Sequence, residues 1–155
     1  MLNVQTDESL NHHAKRLFGM SDTLLLEPYF QGAVTEMLLG VVREPDGLFK
    51  LTIGSGGVLT EVMQDTVSLL LPVSKPQLQN AIAKLRIARL LNGYRGQPAA
   101  HIPSIISTIL GLCQWVESHA EYLAEVEINP LLCLESKSIV ADALITSSNS
   151  FPVKD

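Results

Sequence analysis

Two cysteines in 155 residues leave nothing from which to build a disulfide framework or a thiolate metal centre. Cys113 lies in an apolar pattern of helical period and Cys133 in an apolar β-like run, so both read as buried free thiols. Charge is sparse as well: 17% of residues are charged, 11 basic against 16 acidic, and the basic residues form no cluster. This excludes the Lys/Arg footprint with which a domain grips a phosphate backbone, and nucleic acid is not an expected partner. No run approaches the roughly 18 uninterrupted apolar residues of a membrane span, and residues 1–7 lack the regions of a signal peptide. No membrane partner is expected, and the location expected is cytoplasmic. What is abundant is hydrophobic content, 46% of the chain, enough at this length for the core of one ordinary domain or a fragment of one.

Periodicity divides the chain. After a short strand over 2–4, Leu10, Ala14 and Leu17 recur at helical spacing behind an acidic start, predicting a helix over 7–18. Strands are predicted over 23–29, 34–43 and 48–53, the last two joined by a turn at Glu44-Pro45-Asp46-Gly47, with further β-rich runs at 58–63 and 66–71. Ser74 with Gln77 makes a capping box, and Leu78, Ile82, Leu85 and Leu91 mark the stripe of a helix that Asn92-Gly93 should close. A second helix is predicted over 103–120, with Ile105, Ile109, Leu112 and Val116 as its buried stripe. Residues 147–155 read as a flexible tail. The order predicts an α+β fold, a mostly antiparallel sheet with helices packed on one face.

The chemistry concentrates near the end. In an extended Glu125-Val126-Glu127-Ile128-Asn129, side chains alternate, so the two glutamates and the asparagine share one face. Asp142 interrupts an apolar run of Ile139, Val140, Ala143, Leu144 and Ile145, where an ionised carboxylate is costly without a compensating cation or donor. If these segments form a hairpin around Glu135 and Ser136, Asn129 and Asp142 fall opposite each other. An amide and a carboxylate without nearby Cys or His suit magnesium, which takes its other ligands from water and substrate phosphates. The alternative is that Asn129-Pro130 merely breaks the strand and Asp142 accepts from neighbouring backbone.

Leu26-Glu27-Pro28-Tyr29 with Thr35-Glu36-Met37, then Gly54-Ser55-Gly56-Gly57-Val58-Leu59-Thr60-Glu61, then Asn92-Gly93-Tyr94-Arg95-Gly96-Gln97-Pro98, then Glu127-Ile128-Asn129-Pro130 with Ala141-Asp142-Ala143 follow in order. Together these blocks resemble the ATP-grasp domain of the NDP-forming acyl-CoA synthetases, with the succinyl-CoA synthetase β subunit a more distant relative. The resemblance covers residues 1–146 and starts partway into that domain, implying a C-terminal portion without the lysine-bearing nucleotide-gripping half, the CoA-binding domains and the phosphorylatable histidine. It implies ATP/ADP and magnesium as cofactors of the complete protein, Asn129 and Asp142 as magnesium ligands, and Glu127 as the glutamate that steadies a phosphohistidine. It further implies that Glu27 and Tyr29 belong to the adenine hinge and that Glu36 lies near where the family contacts the ribose or orders the site. Gly56 and Gly57 would border the transferred phosphoryl group.

Alternatives stand beside several of these. Glu36 also reads as a solvated strand carboxylate, Gly54 to Gly57 as a tight turn, and Arg95 as half of an ion pair closing a loop. His101 replaces an aspartate common in the family, where it should be a poorer helix cap. His12, His13 and His119 read as surface or satisfied histidines, none a phosphohistidine. The implied activity is the nucleotide half-site of an acid–thiol ligase, inactive as an isolated fragment. The rival readings are a nucleotide- or acyl-CoA-sensing module fused to an acetyltransferase, and a purely structural domain.

Overall fold

A computed structural model describes residues 4–57 and 64–148, in two compact units divided after Gly32. The strand run expected at 58–63 lies outside the described residues. In the first unit α1 spans Asp7–Phe18, as its period predicts. Thr6 caps it by accepting from the Ser9 amide at 3.1 Å, and Asp7 and Glu8 meet the positive end of the helix while Lys15 and Arg16 meet the negative end. The strand expected over 23–29 is absent: the segment is irregular, with Leu25 83% and Leu26 72% exposed. Alternation earns a strand only where another backbone completes its ladder, and none in this unit's described residues does. Of the strand expected at 2–4, only Val4 is described, and it is not extended into a ladder.

The second unit is a six-stranded antiparallel sheet with helices on one face, as expected. Its strands are β1 (Thr35–Arg43), β2 (Phe49–Ser55), β3 (Thr66–Leu70), β4 (Leu123–Cys133), β5 (Ser138–Val140) and β6 (Ala143–Ser147). They lie in the order β3-β2-β1-β4-β5, and β6 also pairs with β4. The β1–β2 turn forms where predicted. Glu44 donates to Leu48 at 2.7 Å, Asp46 Oδ1 accepts from the Leu48 amide, and Gly47 takes the positive φ of 85° that other residues avoid. The single run expected over 139–145 is divided, with Ala141 and Asp142 between β5 and β6. The tail expected from 147 starts later, because Ser147 pairs with Leu123 and the Ser148 amide donates to Tyr122 at 2.8 Å.

The helices are α2 (Lys75–Lys84), α3 (Ala88–Leu91) and α4 (Ile102–Ser118). Gln77 Oε1 accepts from the Ser74 amide at 2.8 Å, the capping-box contact expected of that pair. The one helix expected to run from Ser74 to Leu91 is instead broken at Leu85, whose ψ of 146° is extended. The cause is remote. Asp65, buried just before β3, accepts from the amides of Arg86 at 2.8 Å and Ile87 at 2.9 Å, capping α3 from outside the helix. Leu85 and Ile87 are both buried at the break.

Helix α4 starts one residue earlier than predicted. Its cap is His101, whose Nδ1 accepts from Ser104 at 3.3 Å, so the histidine performs the expected aspartate's task at the long end of hydrogen-bonding range. All four residues of its predicted stripe are buried. With Leu78, Ile82 and Leu91 they close over Met37, Leu39, Val41, Leu51, Ile53, Val126, Ile128 and Leu131. No helix of the described residues is long and apolar enough to cross a membrane.

Asp65→Ala strands two amides beneath the surface and removes a charge-assisted cap. It should lower the unfolding free energy by about 2–4 kcal/mol in urea denaturation, with Asp65→Asn losing less because its amide oxygen still accepts.

Candidate functional site

Met37, Leu39 and Val41 of β1 and Val126 and Ile128 of β4 point to the helices, which turns their neighbours to the opposite face of the sheet. That outer face carries Glu125, Glu127 and Asn129, half-buried, as the alternation predicts. Glu127 lies across from Gly40, where a β-carbon would meet no atom within 4 Å, so the surface beside it is open.

The β4–β5 turn has Glu135 and Ser136 at its tip, with Cys133 opposite Ser138 and the Leu134 amide donating to Lys137 at 2.9 Å. The register then carries on into β6, with Ile128 opposite Ala143, and the Asn129 amide donates to the Asp142 carbonyl at 3.3 Å. Asn129 and Asp142 are thus direct neighbours across the ladder, the juxtaposition expected from a hairpin. The energetic reason given for Asp142 needs correction. It is exposed between two short strands, so its carboxylate is hydrated and no burial cost demands a counter-ion.

A bulge re-aims β4 at this point. Met37 pairs with Leu131 and Leu39 with Ile128, so Asn129 and Pro130 together face the single Leu38. The Asn129 side chain reaches two groups: its Oδ1 accepts from the Gly57 amide at 3.2 Å, and its Nδ2 donates to Glu127 Oε1 at 3.4 Å. Gly57, with φ of 72°, sits against the Glu36 carboxylate, and the Gly56 amide donates to the Glu36 carbonyl at 2.9 Å. Glu36, Gly56, Gly57, Glu127, Asn129 and Asp142 are thereby gathered at one end of the sheet. The donors are all oxygen, a set that fits a hard divalent cation completing its shell with water and phosphate. No group of three or more His, Cys, Asp or Glu able to enclose a metal occurs among the described residues. A closed protein cage is therefore not what this set offers.

Comparisons with known proteins identify the family. A model of the ATP-grasp domain matches residues 1–146. The chain belongs to the ATP-grasp domain family. It is 24% identical over 160 residues to the β subunit of an ADP-forming acetate–CoA ligase II of Pyrococcus furiosus, a match covering 94% of this chain and 66% of that subunit. It is 26% identical over 147 residues to the acetate–CoA ligase II of Archaeoglobus fulgidus, of which it covers 21%. The chain therefore spans just under two thirds of the first relative and about a fifth of the second. In fold it is similar to an acetyl-coenzyme A synthetase of Ca. Korarchaeum cryptofilum solved with coenzyme A and Mg-AMPPCP. The TM-score is 0.83 at 23% identity, over 95% of this chain and 67% of that one.

Glu27 and Tyr29 belong to the first unit, where residues 25–29 and the start of α1 line a cavity of about 690 Å³. Arg95 forms no ion pair among the described residues; its guanidinium lies over the Tyr94 ring, 5.3 Å from the centroid. Of the histidines, His119 stacks on Trp115 and its Nδ1 lies 2.8 Å from the Trp115 carbonyl, whereas His13 Nδ1 is buried without a partner, contrary to expectation. Sequence reasoning missed Asp65, whose only signal is an isolated acid between two β-rich runs.

Both cysteines are buried free thiols, as read. Burial pushes the Cys113 thiol up to about 11, helped by the charge of Glu117. It pushes Cys133 up to about 12, with the Glu36 carboxylate adding to the rise. The unfolded thiols release their protons near pH 9 and the native ones do not, so the native state binds more protons between pH 9 and 11–12. Stability should be unaffected by the thiols below pH 9 and fall as pH rises above it. Denaturation at pH 8 and pH 10 checks this, and a variant with both cysteines changed to alanine should lose that part of the slope.

Proposed function

We propose that the chain is the ATP- and magnesium-binding half-site of an NDP-forming acyl-CoA synthetase. The complete protein joins a carboxylic acid to coenzyme A while ATP is cleaved to ADP and phosphate, with a phosphohistidine carrying the phosphoryl group between sites. The observation that carries the reading is the meeting of Asn129 and Asp142 across the β4–β6 ladder beside the Gly56-Gly57 turn. The identity of the relatives as ADP-forming ligases supports it.

In this reading Asn129 and Asp142 hold the magnesium ion, which when bound offsets the negative charge of the phosphate oxygens. Glu127 faces the open outer surface over Gly40 and would receive the histidine that comes to the phosphate. Gly56 and Gly57 flank the transferred group. Glu36 stands near the ribose, and Glu27 and Tyr29 meet the adenine. The other half of the nucleotide cleft and the CoA-binding domains are the partners, in the same protein or complex, and the site of action is the cytoplasm.

In the complete protein Asp142→Ala should lower magnesium-dependent turnover about 100-fold and raise the magnesium concentration needed for half-maximal rate. Unchanged steady-state kinetics would remove Asp142 from the site. The 155 residues alone should show no ligation and only weak affinity for Mg-ATP, and a submicromolar Kd by calorimetry would contradict a half-site. Tight binding without ligation in the complete protein would point to a sensor module.

A further inference from the structure

An asparagine amide presents an acceptor on one side and two donors on the other, and only the acceptor side suits a cation. The site therefore depends on which way Asn129 is turned. Two contacts decide it: the Gly57 amide donates to Oδ1 at 3.2 Å, and Nδ2 donates to Glu127 Oε1 at 3.4 Å. Turning the amide over would set Nδ2 against the Gly57 N–H and Oδ1 against a carboxylate, losing both bonds and adding two repulsions. The oxygen still has a second lone pair for a cation.

The Gly57 amide reaches Asn129 because of the turn that carries it, and one residue of β1 lies against that turn. The Gly56 amide donates to the Glu36 carbonyl at 2.9 Å. Gly56 packs so closely on β1 that a β-carbon there would lie 2.5 Å from the Met37 carbonyl carbon. At Gly57, in left-handed backbone with φ of 72°, a β-carbon would collide with Glu36 Oε2. The carboxylate thus fills the space beside Gly57 that a side chain would otherwise take.

We propose that Glu36 is a positioning residue: its carboxylate, seated against Gly57, holds the glycine turn whose N–H fixes the orientation of the Asn129 amide. This rests on the proposed role of Asn129 as a cation ligand. It gives Glu36 a task besides its place near the ribose, and it makes Gly57 and Glu36 an energetically coupled pair although neither touches the cation.

The test measures Mn2+ affinity by electron paramagnetic resonance on the nucleotide-free complete protein. Glu36→Ala should weaken Mn2+ binding several-fold, whereas Glu36→Gln, of nearly the same shape, should stay within about twofold of the parent. Gly57→Ala should weaken Mn2+ binding about 10-fold, and by less when added to Glu36→Ala, since the collision with the carboxylate is then gone and only the backbone strain at φ of 72° stays. Equal losses in Glu36→Gln and Glu36→Ala would make Glu36 a direct ligand and overturn the proposal. So would fully additive effects of the two alanine substitutions. Should Gly57→Ala fail to fold, the Glu36 pair of variants still decides. Asn129→Ala separates the two readings: unchanged Mn2+ affinity there removes the cation site itself, whereas a loss there with additive Glu36 and Gly57 effects removes only the positioning role.

Discussion

The site depends on the register of β4. This strand is paired along both edges, to β1 on one side and to β5 and β6 on the other, and its inward residues Leu123, Val126, Ile128 and Leu131 are almost completely buried. Each such side chain is worth roughly 1.5–3 kcal/mol when removed from water. A slip of one residue would put that set into solvent and drive Glu125, Glu127 and Asn129 into the core, a change that no polar contact on the outer face could offset. Hydrophobic burial beneath the sheet thus holds the oxygen groups above it. The bulge at Asn129 and Pro130 makes a local exception, giving two successive residues access to the outer side without disturbing Leu131 and Cys133 below.

The contacts that finish the site are of another kind. Gly57, Glu36 and Asn129 come from three strand ends distant in sequence, and their mutual distances are set by the β1–β2 and β1–β4 ladders, not by local preference. The glycines matter through what they omit. Gly56 lets two backbones approach, Gly57 leaves room for a carboxylate, and Gly40 keeps the outer face open opposite Glu127.

Local signals were readable in proportion to how local their causes are. The capping box at Ser74, the α4 stripe and the turn at Gly47 were legible because each is decided within a few residues of itself. So was the pairing of Asn129 with Asp142, which follows from counting along two alternating runs through one short turn. The break at Leu85 was not legible, because its cause is Asp65, some twenty residues earlier and adjacent only after folding. The strand expected at 23–29 failed for the complementary reason: its alternation was real, but no ladder among the described residues of its unit receives it. Asp142 shows a subtler limit. Its neighbours in sequence are apolar, yet the strand that would have buried them is interrupted at that residue, so the correct position was reached with an incorrect energetic premise.

The charge of this cluster bears on what can approach it. Glu36, Glu127 and Asp142 gather at one end of the sheet in a chain already carrying a formal charge of -5, and Lys50 is joined to Glu44. A polyphosphate coming to such a surface alone meets like charge at short range. Even at an effective dielectric constant of about 20, unit charges 4 Å apart repel by about 4 kcal/mol. A divalent cation between phosphate and carboxylate reverses the sign of that interaction, and the neutral amide of Asn129, as the ligand proposed above, adds nothing to the repulsion. In the proposed reading the remaining positive charge comes from the other half of the cleft. This half then works as a rigid acidic floor that is attractive to nucleotide only when a cation lies between them, which explains why the orientation of a single neutral amide is held from two sides.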